Sequence, residues 1–86
     1  MIKYQIDITQ EAKKWVIKKL NKDQANRLMK KLKKLEDYPD IYGKPLRHPL
    51  VGIWEIYFEK RFRVLYRIDY DSKTVKIITI KHKDEM

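Results

Sequence analysis

Between Trp54 and Lys81 the chain alternates apolar and polar residues through successive runs separated only by short polar turns, and this pattern leaves few folds open. Trp54, Ile56 and Phe58 alternate with Glu55, Tyr57 and Glu59; Phe62, Val64, Tyr66, Ile68 and Tyr70 alternate with Arg63, Leu65, Arg67 and Asp69. Side chains two apart on a strand share a face, so each run offers one apolar and one polar row. Lys60-Arg61 reads as a hairpin turn, and Asp71-Ser72-Lys73 as a second turn into residues 75–81, a nearly continuous β-branched run suited to a central strand. The result is a mainly antiparallel sheet whose apolar face needs a cover.

The first half of the chain supplies it. Residues 2–8 alternate Ile2, Tyr4, Ile6 and Ile8 against Lys3, Gln5 and Asp7, as in a further strand. Thr9 is a candidate N-cap for a helix whose apolar positions are Ala12, Trp15, Val16 and Leu20. Asn21-Lys22-Asp23-Gln24 fits a capping box opening a second helix, with an apolar stripe of Ala25, Leu28, Met29, Leu32 and Leu35. That helix must end near Tyr38, because Pro39 disfavours helical geometry at the residue before it. Residues 39–52 hold all three prolines and both glycines and read as an ordered loop. The expected fold is α+β in the order β-α-α-β-β-β, one domain over residues 1–86, with a helical hairpin packed on one face of a curved sheet and the other face partly bare.

Charge narrows the partners. Lysine and arginine total 21 against 12 acidic residues, a formal charge of +9 on 86 residues, which favours phosphate polymers. Lys13, Lys14, Lys18 and Lys19 on the first helix, and Lys30, Lys31, Lys33 and Lys34 on the second, form a solvated face that also attracts a ribosome or an acidic protein. There is no cysteine, which removes disulfides, thiolate metal sites and cysteine nucleophiles. The first eight residues lack the unbroken apolar run of a signal peptide, and no stretch approaches the roughly 18 apolar residues needed to span a bilayer. A cytoplasmic protein is expected.

No glycine-rich phosphate loop and no acidic or histidine cluster at metal spacing is present, and Ser72, the only serine, lies in a turn. Metal and covalent catalysis are therefore not expected, and neither is a cofactor. What remains is a set of cations. Arg63 and Arg67 project from one strand to the side away from the apolar row, with Glu55 and Tyr57 beside them on the neighbouring strand. Arg47, His48, His82 and Lys83 border the sheet from the loop and the tail, and Lys60, Arg61 and Lys81 add further candidate phosphate contacts. The plainer alternatives are a surface ion pair of Arg63 with Asp69 or Glu55, and solvated surface histidines at 48 and 82. Tyr66 belongs to the core.

Four segments together resemble the RelE/ParE toxin superfamily: Lys44-Pro45-Leu46-Arg47, Gly52-Ile53-Trp54-Glu55-Ile56, Phe62-Arg63-Val64-Leu65-Tyr66-Arg67-Ile68 and Ile80-Lys81-His82-Lys83. The resemblance spans nearly the whole chain. It implies a toxin of a type II toxin-antitoxin system, of the RelE type, that cuts messenger RNA on the ribosome without a metal. It also implies a small acidic RelB-like antitoxin as partner in a hetero-oligomer, and no membrane. Arg63 matches the family arginine that contacts the scissile phosphate, Lys83 falls where many relatives have a second catalytic arginine, and His82 matches a histidine common beside it. Glu55 and Tyr57 stand where the best-known RelE proteins have lysines, and the chain stops at Met86, near where some relatives place a catalytic tyrosine.

In RNA the 2′-hydroxyl attacks the adjacent phosphate, so an enzyme must take that proton, stabilise negative charge and protonate the departing 5′-oxygen. On this resemblance Arg63, Lys83 and Arg47 stabilise the charge, and His82, with Glu55 as second candidate, carries protons. The alternatives are a ParE-type toxin acting on DNA gyrase, or a non-enzymatic basic module that binds nucleic acid or ribosomes. Arg63→Ala is expected to remove activity and leave the fold intact.

Overall fold

The computed structural model describes residues 3–83. The polypeptide opens with strand β1, Gln5–Ile8, which is followed by helices α1, Gln10–Lys19, and α2, Lys22–Lys33, the latter prolonged by a 3₁₀ turn over Lys34–Glu36. A one-turn helix α3, Pro39–Tyr42, and a two-residue strand β2, Lys44–Pro45, precede β3, Trp54–Phe58, β4, Phe62–Asp69, and β5, Thr74–His82. The five strands form an open mixed sheet in the order β1-β5-β4-β3-β2, with β1 parallel to β5 and every other pair antiparallel. Fold class and helical cover agree with the sequence pattern. The expected strand residue Ile2 and the tail beyond Lys83 lie outside the described residues.

Both helix starts follow their local chemistry. The Thr9 hydroxyl accepts from the Ala12 amide at 3.3 Å and donates to the Ile78 carbonyl at 2.8 Å, so the cap of α1 also fastens it to β5. Asn21 and Gln24 exchange their amides and side-chain oxygens at 2.8 and 3.1 Å, completing the capping box of α2. Leu28, Leu32 and Leu35 are buried along one stripe, whereas Met29 remains half exposed. They meet the sheet's inner rows: Ile56 and Phe58 from β3, Phe62, Val64 and Tyr66 from β4, and Val75, Ile77 and Ile80 from β5.

Three local features depart from the expected pattern. Residues 39–52 are not loop throughout. Pro39 fits the first position of a helix, where its missing N–H costs nothing, and seeds α3. The Tyr66 hydroxyl donates to the Pro39 carbonyl at 2.6 Å, and Gly43 passes so close that a Cβ there would sit 1.8 Å from the Tyr66 oxygen. The β3–β4 turn is one residue earlier than Lys60-Arg61: Glu59 and Lys60 are its central residues, both in the left-handed region at φ 54° and 61°, and the Arg61 amide donates to the Phe58 carbonyl at 3.3 Å. Third, β5 carries a bulge. Leu65 pairs with Thr79 and Tyr66 with Ile77, leaving Ile78 as an extra residue. The bulge reverses the phase of β5, so Ile77 and Ile80 both face the helices.

Candidate nucleic-acid interface

The sheet face away from the helices carries the candidate site. Register places Tyr57, Arg63 and Lys81 directly across from one another on β3, β4 and β5. In the next row Glu55, Leu65 and Thr79 are aligned in the same way. This face is open only in part: Glu55 and Leu65 are only 5% and 8% exposed. Tyr57, at 43%, presents its ring to solvent.

Glu55 fixes Arg63. The Arg63 Nε donates to Glu55 Oε2 at 2.6 Å and Nη2 donates to the same oxygen, in an ion pair whose side chains are 16% and 6% exposed. The ordinary surface pairing considered from the sequence is thus present, but in a setting dry enough to make the partners dependent on each other. The pair argues against the expectation that Arg63→Ala spares the fold, because the substitution strands a buried carboxylate. The pair also locks the guanidinium in place. Its other terminal nitrogen makes no hydrogen bond among the described residues and can meet a phosphate oxygen.

The end of the row is closed by the chain's last described turn. The Lys83 amide donates to the Arg61 carbonyl at 2.6 Å, holding Lys83 against the β3–β4 turn. Tyr57, Lys60 and Lys83 line a shallow depression of about 310 Å³ there. Arg61 is exposed at the rim.

His82 is not with them. It pairs in register with Phe62, one residue out of phase with Arg63 and Lys81, and its ring packs edge-on against buried Phe62 with centroids 5.5 Å apart. The bulge at Ile78 sends His82 to the helix-covered face and Lys81 to the open one. The expected pairing of His82 with Arg63 in one site is corrected on that ground. Arg47 and His48 stand on the exposed loop before β3, joined by a cis peptide from His48 to Pro49, and no side-chain hydrogen bond among the described residues ties them to Arg63. Arg67 shares the open face but lies four residues along β4, roughly 13 Å away at about 3.3 Å per residue. Tyr66 is fully buried, and burial, reinforced by Asp40 and then Tyr70, pushes its phenol far above its ordinary range, so it is no proton carrier. Lys81 is only a flanking contact in the sequence reading; its central place follows from the bulge, which the run Ile77-Ile78-Thr79-Ile80 marks only weakly, through Thr79.

This arrangement is a cationic surface with one rigid arginine and an adjacent phenol, suited to binding a phosphodiester. The sequence profile described as ParE toxin of type II toxin-antitoxin system, parDE, matches residues 6–86. A Methanocaldococcus jannaschii protein carrying the toxin name RelE4 is 33% identical, with 96% of this chain and 89% of that protein covered. Among solved structures, the toxin-antitoxin complex RelBE2 from Mycobacterium tuberculosis contains a chain that superposes with a TM-score of 0.85 at 30% identity, over 96% of this chain and 94% of the other. The intact E. coli RelBE toxin-antitoxin complex gives 0.72 at 25% identity, covering 90% and 93%. With a family profile that spans nearly all of its residues and a relative one-third identical over nearly its full length, the chain belongs to the RelE/ParE superfamily as a RelE-like toxin of a type II toxin-antitoxin system.

Proposed function

We propose that this toxin is a ribosome-dependent, metal-independent endoribonuclease that cuts messenger RNA in the cytoplasm. The observation that carries the reading is the cross-strand row Tyr57–Arg63–Lys81, with Arg63 locked by Glu55 on an open sheet face. The 2′-hydroxyl of the message attacks the neighbouring phosphorus, the bond to the 5′-oxygen breaks, and a 2′,3′-cyclic phosphate and a 5′-hydroxyl result. Arg63 and Lys81, with Lys83 at the end of the row, stabilise the charge that builds on the phosphoryl oxygens. One such donor is worth on the order of 10²–10³ in rate. Glu55 acts through Arg63 as a positioning residue, since its inner oxygen is already occupied by two N–H donors. Tyr57 is the side chain placed to exchange a proton with the reacting oxygens, and the ribosome supplies the remaining acid-base group and orients the message.

The toxin is held inactive by an acidic antitoxin of the RelB kind. The M. tuberculosis and E. coli relatives are toxin-antitoxin complexes, and the charge of +9 here favours an acidic partner that folds on contact. The family profile's description favours a second reading, action on DNA gyrase as in the ParE branch. Purified protein assayed in parallel for cleavage of a translated message and for gyrase supercoiling separates the two. Cleavage with normal supercoiling supports the ribonuclease; intact message with lost supercoiling replaces it by the second reading.

A further inference from the structure

We infer that the depression around Arg67 and Lys76 is a second phosphate subsite, holding the backbone of a single-stranded RNA beyond the nucleotides at Arg63; this rests on the ribonuclease reading. Arg67 and Lys76 are direct partners on β4 and β5 and project from the same face as Arg63 and Lys81. With roughly 13 Å between Arg63 and Arg67 along the strand, one phosphate cannot engage both rows, whereas a chain running along the sheet meets them in turn. The two rows lie on one continuous face.

The local construction supports this. Arg67, Lys76, Asp7, Asp69 and Gly52 are among the residues lining a depression of about 740 Å³. Arg67 and Lys76 are exposed, and neither joins an ion pair among the described residues. Gly52, at φ 94°, brings the loop before β3 over Arg67: a Cβ there would lie 3.4 Å from Nη1. The loop therefore walls the guanidinium on one side. Three carboxylates also line the depression: Asp69 accepts the amides of Asp71 and Ser72 at 3.0 and 3.1 Å and so is committed to its own turn while staying ionised, and Asp71 is exposed in that same turn. Asp7 lies across from Lys76 in the β1–β5 register and opposes a bound anion. A general charge effect would give Asp7→Asn and the loss of the two cations these same opposite signs, so the dinucleotide, which a local subsite leaves unaffected, is the control that separates the two.

The probe is 2′-O-methyl RNA, which cannot be cleaved, used as a dinucleotide with one bridging phosphate and as a longer single strand. Binding is read by fluorescence anisotropy as a function of salt. With the double variant Arg67→Gln/Lys76→Gln, the slope of log K against log salt for the longer RNA falls in magnitude by about 1.4, two contacts at roughly 0.7 each on single strands. Dinucleotide binding stays as in the parent, and Asp7→Asn tightens the longer RNA only. An unchanged slope overturns the subsite, as does an equal loss on the dinucleotide. If Arg63→Lys weakens the dinucleotide while the Arg67/Lys76 variant leaves the longer RNA unaffected, the subsite falls and the ribonuclease reading stands. A parent protein that binds neither RNA overturns the subsite, while cleavage of a translated message decides the ribosome-dependent ribonuclease reading separately.

Discussion

Replacing Arg63 by alanine removes the partner of a carboxylate that is 6% exposed at its side chain. A surface pair would cost about 0–1 kcal/mol, but breaking a buried pair costs roughly 3–5 kcal/mol because the remaining charge is left without water or counter-charge. Arg63 itself is 16% exposed, so the lower end applies, about 3 kcal/mol. A domain of this size loses roughly 4–8 °C of melting temperature per kcal/mol, which gives a fall of about 12–24 °C for Arg63→Ala. Thermal and urea unfolding followed by circular dichroism read this directly. The double variant Arg63→Met/Glu55→Leu, which replaces both charges by apolar groups, recovers most of the stability. An Arg63→Ala protein within about 1 kcal/mol of the parent, the range of a surface pair, refutes the reasoning.

Phe62→Ala destabilises by about 3–5 kcal/mol in urea unfolding, since the ring packs edge-on to Trp15 and stacks on Phe58. Gly43→Ala lowers the melting temperature through its clash with Tyr66, and adding Tyr66→Phe, which removes the oxygen 1.8 Å from the new Cβ, restores part of it; a purely additive double variant contradicts the contact. His82→Gln retains message cleavage within about tenfold of the parent, below the 10²–10⁴ expected of a general acid or base, because the ring lies on the helix-covered face; a larger loss in a protein that melts normally returns His82 to the chemistry. The Asp69 carboxyl is held below its ordinary range by the Ser72 amide and then the Ser72 hydroxyl, against an opposing desolvation, with a smaller contribution from the Asp71 amide. Its support for the β4–β5 turn is therefore present above the ordinary carboxylate range and lost as pH falls through the depressed value, which amide exchange in residues 70–74 reports.

The strand pattern from Trp54 to Asp69, the Thr9 cap and the Asn21–Gln24 box were legible because each is decided by near neighbours in sequence. Arg63 was legible as an open-face residue by the same alternation. Its pairing with Glu55 was named as a surface possibility, but the burial that makes it structural depends on packing across strands. Helix α3 is signalled by Pro39 followed by Asp-Ile-Tyr, a hint outweighed by the surrounding prolines and glycines. The parallel pairing of β1 with β5 is non-local, and no turn specifies it. The bulge at Ile78 mattered most: a one-residue change of phase exchanged the faces of Lys81 and His82, and in a run of four β-branched residues only Thr79 and the five-residue spacing of Lys76 and Lys81 mark it.

The central claim is that this protein cuts messages by presenting a phosphate to the Arg63 row while the RNA's own 2′-hydroxyl attacks. It is tested most directly on programmed ribosomes carrying a message in which the nucleotide 5′ to the mapped cut bears a single 2′-deoxy substitution. The account predicts that the all-ribose message is cut to a 2′,3′-cyclic phosphate end and that the substituted message stays intact at that position. Cleavage of the deoxy-substituted position at the parent rate, or no cleavage of either message by protein freed of its antitoxin, contradicts it.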